Sequence, residues 1–331
     1  MIFTEGSGLN DSVFGKVQNP IKLFLETRGE ALEKEAISNV IFNHEKSTHF
    51  GEQFGTMTAM EGFKPVGENG AYPDDNMQEG FSKFLQNMTW KDRFVISQEM
   101  IEDSVLMDFR KAPQAFLNGY YRTREMYAAA MLGGAVTGAT AVTFRGKTFD
   151  ATAADDVALF SQSHPSALDS SFLQCNQFSD ALSAAAIGKM ETKMNLFKGD
   201  NGEILDVTPD TIIIPNDYAL KNTVFATLGA DKDPATSNNG FNYLFGRWNV
   251  IVWPYLNQFI TSGTSPWIMM DSKYNEAYQT LVWLDRIELT IKSVIDSNTD
   301  ANSWNGRARF VAGFNDWRGI AVGGVSAGAS L

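Results

Sequence analysis

The chain has few of the side chains from which proteins build covalent cross-links, metal sites and catalytic triads. Its 331 residues include one cysteine, Cys175, and three histidines. One cysteine excludes an intramolecular disulfide framework and a cysteine-rich metal site, so we expect Cys175 to be a small buried apolar side chain. We predict no metal ion and no cofactor.

Long apolar runs, a signal peptide and basic clusters are lacking too. No stretch approaches the roughly 18 apolar residues of a transmembrane helix, and residues 1–5 do not resemble a signal peptide. We therefore expect a protein that is made and used in a cytoplasm and makes no membrane contact. Because 27 basic residues stand against 39 acidic ones, the net charge of −12 opposes tight binding to nucleic-acid phosphates.

Aromatic side chains, in contrast, are plentiful. They make up 12% of the chain, and its 44% hydrophobic and 20% charged residues are ordinary for a globular protein of one large domain or two. Aromatic residues dominate both the cores of proteins and the interfaces between them. The composition thus allows a large core and extensive contacts between subunits.

The most informative segment is residues 48–96, in which alternating patterns flank a polar, glycine-rich tip at 62–77. This pattern predicts a long two-stranded hairpin arm. A lone hairpin is only marginally stable in water and exposes unpaired strand edges. We therefore expect other copies of the protein to cover the arm. We predict that Phe63 and Tyr72, the large apolar residues of the tip, bury against a neighbour.

Helices are predicted on both sides of a central α/β portion. The strongest covers residues 113–132, where Pro113 suits the first turn and Gly133-Gly134 is expected to end the helix. Weaker patterns predict helices at 32–41, at 179–197 and after Asn216 or Asp217. Residues 1–26 have no clear period and are predicted to be an extended arm. Strands are predicted at 211–215, 250–253, 267–270, 285–292 and within 307–322.

Two short motifs are similar to nucleotide and calcium sites. Residues 146–148 read Gly-Lys-Thr, but a phosphate-binding loop needs glycine where the chain has Ala141. Residues 296–300 match the first ligands of a calcium loop, whereas Ala301 and Arg307 replace its turn glycine and its last ligand. These departures exclude a standard helix–loop–helix site and leave either a solvated turn or an irregular calcium site.

Residues 161–165, Ser-Gln-Ser-His-Pro, place serines beside His164. Residues this close in sequence rarely reach the geometry of a nucleophile and its base, and no partner acid is marked. We interpret His164 as a loop residue that forms hydrogen bonds. We predict no catalytic residue.

In their order along the chain, the elements resemble those of the tailed-bacteriophage major capsid proteins, which share the α+β Hong Kong 97 fold. The hairpin arm resembles the E-loop of this family, and residues 96–104 resemble the segment before its spine helix. Residues 208–216 look like a strand and turn of its axial domain, and 307–318 like the closing strands of its peripheral domain. Residues 160–165 are similar to the Mu-like major head subunits in particular.

The resemblance implies a domain organisation and a set of contact residues. The parts would be an N-terminal arm (1–47), an E-loop hairpin (48–96), a peripheral domain (97–174 and 283–331) with its spine helix at 113–132, and an axial domain (175–282). The contacts between subunits would be made at the tip by Phe63, Lys64, Pro65 and Tyr72.

The implied function is structural, not enzymatic. Hexamers and pentamers of the chain would form an icosahedral shell that encloses double-stranded DNA without sequence-specific binding, assembled in the host cytoplasm and found in the virion. Scaffolding, portal and decoration proteins are the further partners that the resemblance allows. Because the predicted spine helix starts at 113, we expect no scaffolding segment before it. Lys64 is a candidate for the lysine–asparagine isopeptide bond that some members form.

Two other functions stay open at this point. An encapsulin-like bacterial compartment would have the same fold and hold enzyme cargo instead of DNA. A cytoplasmic α/β enzyme with a loop carboxylate would form a small discrete oligomer. Particles packed with DNA would exclude the first, and megadalton particles would exclude the second.

Overall fold

The computed structural model of the protein describes several stretches of the chain, grouped into two compact units. The described residues are 2–3, 28–29, 31–57, 63–74, 79–97, 111–229, 242–260, 265–295, 301–326 and 328–331. Unit 1 is drawn from Met1–Glu52, Leu85–Ala128 and Trp283–Ala312. Unit 2 is drawn from Gln53–Phe84, Ala129–Val282 and Gly313–Leu331.

Helices and strands are mixed along the chain, which confirms the α+β class. The helices are α1 (Ser38–Ile41), α2 (Lys111–Val136), α3 (Ala184–Asn195), α4 (Tyr218–Leu228) and α5 (Ser272–Tyr278), with a 3₁₀ helix at Pro254–Gln258. The strands are β1 (Ile2–Phe3), β2 (Asn43–Lys46), β3 (Gly51–Met57), β4 (Glu79–Gln86), β5 (Met88–Ile96), β6 (Ala141–Phe144), β7 (Lys147–Asp150), β8 (His164–Pro165), β9 (Leu173–Gln174), β10 (Thr211–Pro215), β11 (Asn249–Trp253), β12 (Trp267–Met270), β13 (Leu281–Ile295), β14 (Asn302–Phe314) and β15 (Ile320–Gly323).

Unit 1 is built on a five-stranded sheet. Its order is β1-β13-β14-β5, and β2 also pairs with β13. β1 runs parallel to β13, whereas β5 runs antiparallel to β14 with Met88 opposite Phe310 and Ile96 opposite Asn302. Segments from the beginning, the middle and the end of the chain thus share one sheet.

The first part of α2 packs against one face of this sheet. Leu117 of α2 forms a buried cluster with Leu289, Ile291 and Trp304, and aromatic residues such as Phe94 pack around it. Leu289 and Ile291 belong to the alternating segment at 285–292, so the predicted half-buried strand is confirmed. The residues that alternate with them lie on the opposite face of the sheet.

Unit 2 contains a four-stranded sheet of order β11-β10-β12-β15. β10 is buried along its whole length, as its continuous apolar run predicts. It runs parallel to β11 and antiparallel to β12. After β10, the Asp217 side chain accepts a hydrogen bond from the Ala219 N–H and starts α4, which ends at Gly229. The predicted start of this helix is therefore confirmed.

Helix α2 is longer than predicted, because the pair Gly133-Gly134 does not end it. The helix continues to Val136. A Cβ on Gly134 would lie 2.3 Å from Val142 Cγ2, and one on Gly133 would lie 2.8 Å from Phe259 Cβ. These glycines let neighbouring side chains approach the helix closely, and helix packing outweighs their low helix propensity.

Two other helices are shorter than the ranges predicted from the sequence. The helix predicted at 32–41 is interrupted between the helical residues 31–34 and α1. Ser38 gives its N–H (2.9 Å) and its hydroxyl (2.5 Å) to the Glu125 carboxylate, so it starts a new helix instead of continuing the first. The helix predicted at 179–197 begins only at α3, because Ser183 caps it by accepting from the Ala186 N–H.

Several predictions fall partly or wholly outside the described residues. Within the predicted N-terminal arm of residues 1–26, only residues 2–3 are described, as β1. The calcium-like motif at 296–300 and most of the segment at 96–104 before the predicted spine helix also lie outside. β14 begins at Asn302, earlier than the range 307–322 within which the last strands are predicted.

The two compact units do not follow the domain boundaries that the family resemblance implies. Residues 129–174 and 313–331, expected in the peripheral domain, cluster with 175–282 in unit 2. The long elements α2 and β14 each contribute residues to both units. The family's domain assignment of these segments stays a prediction.

Candidate assembly site in the hairpin arm

The described part of the arm is a two-stranded ribbon. β3 and β4 pair in a separate two-stranded sheet. At the root, the Phe50 carbonyl accepts from the Asn87 N–H at 3.0 Å, and further along the Thr56 hydroxyl donates to the Phe81 carbonyl at 3.0 Å. Because the paired positions approach each other in sequence toward the tip, the strands are antiparallel. The predicted pairing of two strands is thus confirmed for β3 and β4.

The returning strand is not continuous, which corrects the predicted alternation from Phe84 to Ile96. β4 ends at Gln86, and β5 joins the sheet of unit 1. The Asn87 side chain is buried between them and donates to Ser47 Oγ at 2.8 Å and to the His49 carbonyl at 3.1 Å.

The buried positions also change at Asn87, from odd-numbered residues in β4 to even-numbered residues in β5. In β4 the buried residues are Lys83 and Leu85, whereas Phe84 is 55% exposed. In β5 the most buried residue is Ile96, an even-numbered position. A one-residue shift exchanges the two faces of a strand. Asn87 therefore separates β4, which belongs to the arm, from β5, which belongs to the sheet of unit 1.

The root of the arm is attached to its own subunit through Lys83. Although it is a lysine, its side chain is only 5% exposed, and its Nζ lies 2.6 Å from Asp150 Oδ2 in β7. The ammonium also donates to Thr152 Oγ1. Burial raises the pKa of Asp150, but the hydrogen bonds from Lys83 and Thr152 outweigh it, so this pKa lies below its ordinary value.

Replacing Lys83 with methionine is expected to loosen the root of the arm without unfolding the subunit. The methionine fills the same space and removes the ammonium, while Asp150 is 58% exposed and stays solvated. We expect a loss of about 1 kcal/mol in unfolding free energy. Hydrogen exchange of the β3 and β4 amides should become faster, whereas exchange in β10 should not change. Equal acceleration in both places would show that Lys83 acts on global stability.

The tip of the arm is exposed to solvent. Phe63 and Tyr72 are 109% and 98% exposed, and Lys64 and Pro65, which follow Phe63 directly, are exposed as well. Between them, the Gly70 N–H donates to the Gly67 carbonyl at 2.9 Å and forms a tight turn. Two full-size aromatic side chains with this exposure are costly to leave in water.

His164 forms hydrogen bonds, as predicted from the sequence, but it is buried and lies in β8 instead of a loop. Its Nδ1 lies 2.7 Å from Asp155 Oδ2, its Nε2 lies 3.1 Å from Asn176 Oδ1, and its ring stacks on Trp317 at 4.4 Å. Ser161 gives its backbone N–H to the same Asn176 oxygen. His164 therefore faces an amide oxygen instead of a serine hydroxyl, and the group does not form a nucleophile and its base.

A second buried polar group in unit 2 was not signalled by the sequence. Arg318 binds Asp200 Oδ1 at 2.8 Å and Asp316 Oδ1 at 3.2 Å, and Tyr274 donates to the other oxygen of Asp316 at 2.8 Å. Burial opposes the charge of Arg318, but Asp316 and Asp200 outweigh it and raise its pKa. The group is a closed set of opposite charges, which is typical of a structural network.

Cys175 differs from its prediction, since it is half-buried. Its Sγ lies 3.2 Å from the Gln177 carbonyl, and burial raises the pKa of the thiol. Within the described ranges, no three His, Cys, Asp or Glu side chains are placed to share a metal ion. In the same ranges, none of the helices combines the length and apolar character needed to cross a membrane.

The family comparison gives a match over most of the chain. The model of a family described as phage capsid protein matches residues 83–323, which is more than half of the sequence. No curated protein sequence matches.

Solved phage capsids have the same fold. The capsid of Ralstonia phage GP4 is similar with a TM-score of 0.55 at 10% identity, over 86% of this chain and 86% of that chain. The capsid of cyanophage P-SCSP1u gives 0.54 at 9% identity, over 87% of each chain. Gordonia phage Cozz gives 0.51 at 11% identity, over 88% of this chain and 87% of that one.

These similarities define the class first: the chain has the Hong Kong 97-like α+β fold of tailed-phage capsid proteins. Because the family model matches most of the sequence, the chain belongs to the phage capsid protein family. It is a structural protein of a phage capsid, and the encapsulin-like alternative is not favoured.

Proposed function

We propose that the chain assembles into hexamers and pentamers of a closed icosahedral shell, and that the arm of each copy docks on a neighbouring copy. The observation that supports this most directly is the arm itself. Its root is attached to the subunit through Lys83, whereas Phe63 and Tyr72 at its tip are fully exposed. A ribbon that is fixed at one end and has an apolar tip is suited to reach a second molecule.

The proposed contact residues are Phe63, Lys64, Pro65 and Tyr72. Docking one arm per copy joins every subunit to its neighbours, so that individually weak contacts add up to a stable shell. The proposed shell encloses double-stranded DNA without reading its sequence, which suits a wall with a net charge of −12. Assembly in the host cytoplasm, with scaffolding, portal or decoration proteins as further partners, belongs to the same proposal, and no enzymatic step does.

Deleting residues 62–77 is expected to leave the subunit folded and to abolish shells. The exposed tip contributes little to its own subunit, because Phe63 and Tyr72 bury no area there. Circular dichroism should show an unchanged spectrum and unfolding midpoint, while electron microscopy and sedimentation should show capsomers or monomers instead of closed particles.

A point variant tests the same contact with less disturbance. Phe63→Ala with Tyr72→Ala should reduce the yield of particles strongly, whereas Leu168→Ala, at another exposed apolar residue, should not. A particle map should show both tip aromatics buried by a neighbour. Normal shells from the deletion variant, or global unfolding of it, would each contradict the proposed role of the arm.

A further inference from the structure

The turn at the tip of the arm contains an asparagine followed by a glycine. The Gly70 N–H donates to the Gly67 carbonyl at 2.9 Å, so Glu68 and Asn69 are the central residues of a β-turn. Asn69 has a φ of 63°, in the left-handed region. A positive φ at the third position is typical of a type II turn, where glycine and asparagine are the residues that fit.

The space around Gly70 explains the glycine that follows. A Cβ on Gly70 would lie 3.0 Å from both the Gly67 carbonyl oxygen and Val66 Cβ, which is tighter than most contacts of a Cβ. The turn therefore favours asparagine at 69 and glycine at 70 for structural reasons. The same pair is chemically reactive, because glycine has no side chain to shield its own backbone nitrogen from a neighbouring amide.

The reaction of this pair needs only a solvent base and water. The Gly70 nitrogen gives its proton to the base and attacks Cγ of Asn69. A new C–N bond closes a succinimide ring, and the side-chain nitrogen leaves as ammonia. Water then opens the ring at either carbonyl group, which gives aspartate or isoaspartate, the isomer whose main chain runs through the side-chain carbons. Nothing is oxidised or reduced, and a neutral amide becomes a carboxylate.

The exposure of the tip permits this reaction at Asn69. Every residue from 63 to 74 is exposed, so water reaches both the side-chain amide and the Gly70 nitrogen. The hydrogen bond that closes the turn is exposed as well, and such bonds open with little change in free energy. Opening lets Asn69 leave its left-handed conformation and bring Cγ to the Gly70 nitrogen.

The same pair occurs elsewhere in the chain, where regular structure prevents the reaction. Asparagine precedes glycine at five positions: Asn69, Asn118, Asn201, Asn239 and Asn305. Of these, Asn239 lies outside the described residues. Asn118 lies within α2, and Asn305 lies in β14 opposite Arg93 of β5. Attack at either position would require part of a helix or a sheet in unit 1 to unfold.

Asn201 is the most stringent comparison, because it also lies in a turn. The Gly202 N–H donates to the Gly199 carbonyl at 3.0 Å. This turn is anchored, since the neighbouring Asp200 is buried and accepts a hydrogen bond from Arg318 at 2.8 Å. The two sites thus share a dipeptide and a turn hydrogen bond, and they differ in how far the surrounding chain can move.

We propose that Asn69–Gly70 is a site of self-modification, at which unassembled subunits convert Asn69 to aspartate and isoaspartate and thereby lose competence for assembly. The effect on assembly rests on the proposed function. The new carboxylate directly follows Glu68, and isoaspartate adds a methylene group to the main chain between Phe63 and Tyr72. The charge and the shape of the tip therefore both change, and a neighbour that fits the natural tip fits the product less well.

Peptide mapping by mass spectrometry tests the site itself. Unassembled subunits are aged in a mildly alkaline buffer until a synthetic peptide of residues 66–72, aged beside them, has largely reacted. The fractions of asparagine, aspartate and isoaspartate are then measured at Asn69, Asn201 and Asn305. We expect Asn69 to react at least about tenfold faster than either of the other two, because only its turn opens without disturbing packed structure.

Asn69→Gly is the matched variant for the effect on assembly. Glycine fits the positive φ of this position and has no side-chain amide to lose. The particle yield of the natural chain should fall as the modified fraction rises, whereas aged and fresh subunits of Asn69→Gly should give the same yield. Sedimentation and electron microscopy measure the yield.

Unchanged asparagine at 69 after the synthetic peptide has reacted would overturn the inference, and so would equal rates at Asn69 and Asn305. Extensive modification without any loss of particle yield would overturn the claimed effect on assembly. Normal shells from the deletion of residues 62–77 would instead contradict the proposed function and would not change the peptide map, so the two failures are distinguishable.

Discussion

Arg318→Met is expected to destabilise unit 2 by about 3–5 kcal/mol, the usual cost of removing one partner from a buried ion pair. The Arg318 side chain is 6% exposed, and the side chains of Asp200 and Asp316 are 2% and 6% exposed. Without the guanidinium, two carboxylates would stay buried with no cation beside them. Methionine fills most of the space, so the loss is one of charge and hydrogen bonds instead of volume.

Chemical unfolding of unassembled subunits measures this loss, and Arg247→Met is the matched control. Arg247 also binds a carboxylate, that of Glu191, but its side chain is 45% exposed. Water replaces such a pair readily, so we expect less than about 1 kcal/mol for the control. If both variants lost the same free energy, burial would not be what gives the Arg318 network its importance.

The sequence predicted those elements whose residues interact locally. β10 follows from one uninterrupted apolar run, and α4 from an aspartate that caps its first turn and a glycine that ends it. The half-buried strand at 285–292 follows from its alternation. In each case the information lies within about a dozen neighbouring residues, where period and capping determine the structure.

Features that depend on distant residues could not be predicted in this way. The pair Gly133-Gly134 stays helical because Val142 and Phe259 approach it. The arm ends at Asn87 because Ser47 and the His49 carbonyl accept its hydrogen bonds.

The candidate assembly site was likewise predicted only in those features that depend on neighbouring residues. The hairpin and its exposed aromatic tip could be read from the local pattern, and their contact with a neighbour stays a proposal. Charges that the fold brings together could not be predicted, since only the pairing of β5 with β14 places Lys91 opposite Arg307.

Asp285→Asn is expected to destabilise unit 1 by about 3 kcal/mol at pH 7 and by about 1 kcal/mol less at pH 3. Asp285 accepts two hydrogen bonds from Arg124, at 3.2 and 3.0 Å, and its Oδ2 lies 3.2 Å from His44 Nδ1. Arg124 is itself buried between Tyr120 and the ring of Trp283, so the asparagine would leave a buried cation without its counter-ion.

The pH dependence follows from the pKa of Asp285. Burial raises this pKa, but His44 and Arg124 outweigh burial, so it lies below the ordinary value of the carboxyl group. A group whose pKa is lower in the folded state stabilises that state above its unfolded pKa, about 4, and loses this contribution as the pH falls through the folded pKa. The advantage of the natural chain over Asp285→Asn should therefore begin to fall below about pH 4.

Urea unfolding of unassembled subunits at pH 7 and at pH 3 measures this difference. Asp92→Asn is the control on the same sheet, since Asp92 is exposed and receives only the Arg93 backbone N–H among the described residues. Its effect should be small at both pH values. A difference between the natural chain and Asp285→Asn that stayed constant from pH 7 to pH 3 would show that the shape of the amide, and not the lost carboxylate charge, destabilises unit 1.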